Sequence, residues 1–309
     1  ASAGDMKPLA VHAWIALLHF VGVEGKRFAL GHKYEEYARI ALEHLPSEHE
    51  LEAERSTWLR ALLLGEGKTN EALVASEDEL RGIELSLGEH HRQYASALDG
   101  RASVLFAQCK YIDALAPQEK ACTLLARELG TQHPQFALCL GNLASLYASL
   151  GDHERAIVLK RRALDLFRAL PGHPNHVAMA RRNEVRSLLE LGRLEEAERE
   201  LDVAKGESDE RSLTLLHADL ALRRGEHREA LLLASKAREL RAPNEQVDPL
   251  LMMSKAFVLL GEPAGALRVA RLATSAAEAH YGGSSCKVGE AFAQRASVEC
   301  ANGADADGL

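Results

Sequence analysis

GNLASLYASLGDHERAIVLKRRALDLF, from Gly141 to Phe167, decides the fold. Apolar residues recur at helical spacing on both sides of Gly151-Asp152, so the stretch reads as two amphipathic helices joined by a tight turn. Weaker copies precede and follow it. Anchored on the turn glycine, they align at Gly67, Cys109 in a glycine's place, Gly151, Gly192, Gly225, Gly261 and Gly303. The interval starts at about 42 residues and shortens in the later copies, a fixed-period signature of a repeat array. Five residues after the anchors stand Ala72, Ala114, Ala156, Ala197, Ala230 and Ala266. Seven further on come Ala121, Ala163, Ala204, Ala237 and Ala273, with Glu79 breaking the row in the first unit. Seven residues is nearly two helical turns, so both rows share one face, where small side chains let two backbones approach.

The first helix of each unit agrees. Seven residues before the anchors come Ala102, Ala144, Val185, Ala218 and Ser254; three residues later come Leu105, Tyr147, Leu188, Ala221 and Phe257. Small residues at the crossing and mostly larger ones filling the gaps suit ridge-into-groove helix packing. Composition points the same way: 47% of the 309 residues are apolar and only 5% aromatic, with Ala and Leu dominant. β-branched residues seldom alternate, which argues against a sheet. The expected fold is all-α, a right-handed superhelical solenoid of antiparallel helix pairs.

Working outward, Met6 to about Val21 and Phe28 to about Leu45 read as a helical hairpin that fits the repeat poorly, with Pro46 ending its second helix. This gives an N-terminal hairpin over 1–48 packing on an array over 49–309, with the helix 288–301 as C-terminal cap. Residues 1–5 read as a frayed end. Gly303 falls where another turn is due. Pro117, inside the second helix of the unit anchored at Cys109, is expected to bend that helix. Connectors recur as well: Leu-Gly-Glu-His-His from Leu87, Leu-Gly-Thr-Gln-His-Pro from Leu129, Pro-Gly-His-Pro from Pro171, and an eroded copy at Tyr281-Gly282-Gly283. A glycine ends one helix and a proline opens the next.

Taken together, these residues resemble the tetratricopeptide repeat family over about 51–309, and the Gly-x-x-His-Pro connector with Asn142-Leu143-Ala144-Ser145-Leu146-Tyr147 resembles the kinesin-light-chain type. The opening helices, with Trp14, Val21-Gly22 and Tyr34-Glu35-Glu36, add a resemblance to the tetratricopeptide tails of myxobacterial-type serine/threonine kinases. The resemblance implies a concave side lined by the first helices, where asparagines in that family hold peptides.

Several chemistries are excluded by sequence. Gly65-Glu66-Gly67-Lys68-Thr69 ends like a phosphate loop, but Leu62 stands where its first glycine belongs and the preceding segment is helical. No His-Glu-x-x-His helix, kinase signature set or Gly-x-Ser-x-Gly elbow is present. No catalytic residue, cofactor or metal is therefore expected. A formal charge of −8 with interspersed signs offers no broad basic patch for nucleic acid. No apolar run is long enough to span a membrane. The five cysteines lack CxxC spacing and read as unpaired thiols in a reducing cytoplasm.

What remains is a surface. Inward positions map to Ser96, Asp99, Gly100 and Ser103, then Gly141, Asn142 and Ser145, then Arg182, Asn183 and Arg186, then Asp219, Met252 and Lys255. Gly100 and Gly141 are expected to leave room for a ligand's backbone. The carboxamides of Asn142 and Asn183 suit a peptide main chain. Arg182 and Arg186 either take a carboxylate or pair with acids on neighbouring helices. The leading expectation is a non-enzymatic protein–protein interaction scaffold that binds a partner peptide or helix through Asp99, Ser103, Asn142, Ser145, Arg182, Asn183, Arg186 and Lys255, as the docking or regulatory arm of a signalling protein such as a serine/threonine kinase. The alternative is the sensor module of a bacterial regulator, binding a small ligand or signalling peptide, with Trp14, Phe20 or Tyr34 around a closed pocket.

Overall fold

The computed structural model describes residues 6–45, 48–170, 172, 174–281 and 285–306. The expectations placed on residues 1–5, Pro46, Pro171, His173, Gly282 and Gly283 fall outside them. The chain divides into two compact units, Ala1–Asn142 and Leu143–Leu309. In the first lie α1 (Met6–Leu17), α2 (Phe28–Leu42), α3 (His49–Gly65), α4 (Thr69–Leu87), α5 (Arg92–Ala107) and α6 (Tyr111–Leu129). Helix α7 (Pro134–Ser149) contributes to both. The second holds α8 (His153–Ala169), α9 (Pro174–Glu190), α10 (Leu194–Ala204), α11 (Glu210–Arg223), α12 (His227–Glu239), α13 (Val247–Leu259), α14 (Pro263–Tyr281) and α15 (Cys286–Ala306). No strand occurs among the described residues. The fold is all-α and built from tetratricopeptide-like helix pairs.

The anchors are what make the turns. Gly67, Gly151, Gly192, Gly225 and Gly261 all have φ between +70° and +84°, and Cys109 has φ +61°. That left-handed conformation lets the next amide reach back and cap the first helix. The Asp152 N–H donates to the Tyr147 carbonyl at 2.9 Å, and Arg193 to Leu188 and Glu226 to Ala221 repeat the bond at 2.9 Å. Asp152 also caps α8, its Oδ1 accepting the Arg155 N–H at 3.1 Å.

Both alanine rows are buried, including Ala72, Ala114, Ala156, Ala197, Ala230 and Ala266 at 0% exposure. They sit where helices cross. Larger residues fill the spaces, as in the cluster of Ile157, Val185, Leu188, Leu189, Leu201, Leu213, Leu216 and Leu220; full burial of each such side chain contributes about 1.5–3 kcal/mol. In the second unit the first helices also touch one another, α9 on α11, α11 on α13 and α13 on α15. They form one layer, with α10, α12 and α14 behind it.

Four expectations change. The first helix is α-helical only to Leu17 and continues as a π-helical turn over Leu18–Glu24. This turn brings Gly22 against Gly31 of α2, where a Cβ at either position would lie under 3.0 Å from the other backbone. Gly303 is no turn, because α15 runs through it to Ala306. Gly100 leaves no room for a ligand, since the Arg60 guanidinium already covers it. Finally, Cys122 of α6 and Cys139 of α7 are disulfide-bonded, with Cα atoms 5.5 Å apart. They stand at nearly equal distances on either side of the Gly130 connector, so the antiparallel pair brings them face to face. Cysteine usage therefore no longer argues for a reducing compartment. Helix α6 continues through Pro117 to Leu129.

Candidate functional site

In the N-terminal unit, α5 and α7 present Asp99, Ser103 and Asn142 together. Asn142 is not idle. Its Nδ2 donates to both Asp99 carboxylate oxygens, at 3.0 and 3.2 Å. The Ser103 hydroxyl donates to the Asp99 carbonyl one turn back, at 3.0 Å. Gln118 of α6, unremarked in the sequence, donates from Nε2 to Asp99 Oδ1 at 2.6 Å. At Gly141 no atom lies within 4 Å of where a Cβ would stand. A separate cleft of about 280 Å³ in the same unit is lined by Glu50, Glu54, Thr57, Trp58, Glu79 and Ser96 among others. Trp14 packs against Tyr34 and Tyr37 at ring-centroid distances of 6.0 and 5.0 Å, while Phe20 is 60% exposed. These rings pack on one another or face outward, so a closed pocket around them is not what the hairpin builds.

In the C-terminal unit, the layer of first helices carries a charged cleft of about 290 Å³. Arg186 and Glu190 come from α9, Asp219 and Arg223 from α11, Asp248, Met252 and Lys255 from α13, and Lys287 and Glu290 from α15. Leu215, Leu216 and Leu251 give it apolar patches. Arg186, Asp219, Met252 and Lys255, all inward positions by sequence, line this one cleft.

Its carboxylates are already engaged. Arg223 bridges Glu190 at 2.7 Å and Asp219 at 2.9 Å. Lys287 bridges Asp248 at 2.6 Å and Glu290 at 3.1 Å. Arg241 turns its guanidinium to two carbonyls, Ala237 at 2.8 Å and Arg211 at 2.9 Å, and burial with the neighbouring Arg211 charge lowers its pKa. Arg186 and Lys255 make no ion pair among the described residues. The cleft thus offers two uncommitted cations beside neutralised acids.

The remaining expected residues do not join it. Arg182 donates to the Ser208 hydroxyl at 3.0 Å, which ties it to the turn before α11. Asn183 is half-buried beside it on α9, and Ser145 is half-buried on α7. Arg181, one residue away, points into the protein and clamps Glu207 and Glu200.

Lys160 of α8 lies behind Arg186. It is 4% exposed, and its one hydrogen-bond partner among the described residues is the Ser187 hydroxyl, at 2.8 Å. Burial first, then repulsion from Arg186, lowers its pKa to about 8, with Glu184 opposing; Glu184 itself accepts from Arg161 at 2.6 Å. The folded protein then releases this proton before the unfolded chain does. The Lys160 contribution to stability is expected to rise with pH from about 8 toward the ordinary 10.5. Denaturant unfolding across that window, compared with Lys160→Met, checks this; equal slopes in the two proteins rule it out.

Among the described residues, no group of three His, Cys, Asp or Glu side chains could hold a metal ion. No described helix is long and apolar enough to cross a membrane.

With this geometry in place, likenesses to known proteins can be set beside it. Residues 93–169 and 136–204 match the tetratricopeptide repeat family. A tetratricopeptide repeat protein from Parabacteroides merdae is 18% identical, with 92% of this chain and 99% of that one covered and a TM-score of 0.63. The apo form of RapI is 14% identical, with coverage of 86% and 97% and a TM-score of 0.70. NprR in complex with its cognate peptide NprX is 18% identical, with coverage of 87% and 78% and a TM-score of 0.60. At these identities the likeness is one of fold. No curated protein sequence matches the chain.

Proposed function

We propose that the protein is a non-enzymatic peptide receptor, the sensor module of a bacterial regulator, whose C-terminal cleft seats the ligand. One observation carries this: Arg186 and Lys255 face a cleft whose own carboxylates are bridged by Arg223 and Lys287, so their charge is left for a guest. Leu215, Leu216, Leu251 and Met252 beside them suit a peptide's apolar side chains. An acidic side chain or a terminal carboxylate supplies the matching charge. The shared fold with NprR, whose structure holds its cognate peptide, supports the reading.

The kinesin-light-chain-like spacing of the central units is compatible with the same role. A docking arm of a signalling protein such as a serine/threonine kinase would use this cleft for a segment of a folded partner instead of a free peptide.

The test is fluorescence anisotropy with an array of short synthetic peptides, acidic and neutral. Acidic peptides are expected to bind, and Arg186→Ala with Lys255→Ala to weaken them at least tenfold, about 1.4 kcal/mol. Unchanged affinity in the double variant removes the cleft from the reading. If no free peptide binds but a partner protein does, the docking-arm reading replaces it.

A further inference from the structure

Asp99 in the N-terminal unit is a carboxylate held in place without being neutralised. It makes no ion pair among the described residues; its partners are the carboxamides of Gln118, at 2.6 Å, and Asn142, at 3.0 and 3.2 Å. Neutral donors fix where the two oxygens point but leave the full negative charge. Gln118 is 1% exposed, and its Nε2 also lies 3.4 Å from the Cys139 carbonyl. A buried carboxamide costs desolvation that an apolar side chain would avoid, so its presence behind Asp99 needs a reason. Orienting the carboxylate supplies one.

The side chains around Asp99 on its exposed side are small. Ser96 and Ser103 stand about one turn to either side on α5, both small and exposed, and Gly141 on α7 adds no side chain. We infer that Asp99 is, within the N-terminal unit, a binding point for a cationic nitrogen of a peptide, either a lysine or arginine side chain or a free amino terminus. Gln118 and Asn142 act as positioning residues. The inference rests on the peptide-receptor reading and gives the N-terminal unit its own contact, of opposite sign.

Asp99→Asn separates this from a merely structural role. The substituted side chain keeps an oxygen for the Gln118 and Asn142 amides, so the tie between α5, α6 and α7 persists and the melting temperature stays near wild type. Only the charge is lost. Three probes are titrated by fluorescence anisotropy: a peptide with an acetylated amino terminus and one lysine, the same peptide with norleucine for lysine and a free amino terminus, and the doubly neutral analogue. Wild type is expected to prefer at least one cationic probe over the neutral one by about tenfold, and Asp99→Asn to erase that preference. Which cationic probe wins tells side chain from terminus.

Equal binding of all three probes by wild type, or a preference that survives Asp99→Asn, overturns the assignment. If acidic peptides still depend on Arg186 and Lys255 in that case, the receptor reading stands and Asp99 alone is dismissed. If no peptide of either charge binds, both fall.

Discussion

Glu79→Ala is expected to destabilise the protein by about 3–5 kcal/mol, although it restores the repeat's own pattern. Alanine occupies the equivalent position in each of the other units, and it has the higher helix propensity. The structure gives the opposite answer. Glu79 is 2% exposed. It accepts from Arg60 Nε at 2.7 Å and from the Thr57 hydroxyl at 2.9 Å. Arg60, held there, lies over Gly100, where a Cβ would stand 2.5 Å from its Cζ.

Truncating Glu79 strands a largely buried guanidinium with no carboxylate and leaves a hole beside it. Urea unfolding of the variant checks the size of the loss. Arg60→Leu combined with Glu79→Ala is expected to recover most of it, because two apolar groups can replace a buried pair at little cost. A single variant as stable as wild type refutes the network.

Arg181→Ala is the second large effect, a loss of about 3 kcal/mol or more. The Arg181 side chain is 1% exposed. Its Nε and Nη2 take both oxygens of Glu207, at 2.6 and 2.8 Å, and Nη1 reaches Glu200. The fork joins α9 to α10 and to the turn that follows it. Arg181→Lys keeps the charge but cannot make the two parallel bonds, so it is expected to recover less than half the loss.

The pair also predicts a pH dependence. Hydrogen bonding to Arg181 lowers the Glu207 pKa from its ordinary 4.5 in the folded state. Its contribution is therefore present above about 4.5 and is lost as pH falls through the lowered value. In Arg181→Ala that acid-sensitive share disappears. Thermal melts of both proteins between neutral and acidic pH measure the difference.

These two residues mark where sequence reasoning stops. Helix pairs, turns and buried alanine rows follow from spacing alone, because a period of small residues has one packing consequence. Ion pairs do not: Arg181 and Arg182 are adjacent letters, yet about 100° of helical rotation sends one into the protein and the other to Ser208. Arg186, Asp219 and Lys255 are legible as one face because each stands six residues before its turn glycine on a first helix, and Met252 lies about one turn before Lys255. Arg241 and Lys287, which line the same cleft, lie in a connector and on α15, where no repeat frame reaches.

Gln118 was hidden for a different reason: a lone glutamine in a helix carries no periodic signal, and its role depends on α5 and α7 arriving on either side. The Cys122–Cys139 bridge carries no short-range spacing signal, because the pairing runs across a connector, 17 residues apart. Gly303 stands at the due interval yet lies inside α15, so spacing alone does not make a glycine a turn.

The left-handed anchors have one more consequence, for how such proteins change over time. Around Gly151, Gly192, Gly225 and Gly261 there is nothing within 4 Å of a would-be side chain. What restrains these sites is the sign of a torsion angle alone, and Cys109 shows that another residue can hold it. The buried alanines are restrained from every side. Under mutation the most conspicuous letter of the repeat should drift first, through residues such as asparagine that tolerate the conformation, while the alanines stay. Searches that count glycines will then undercount units in distant relatives, and a ruler made from the two alanine rows will outlast one made from the turns.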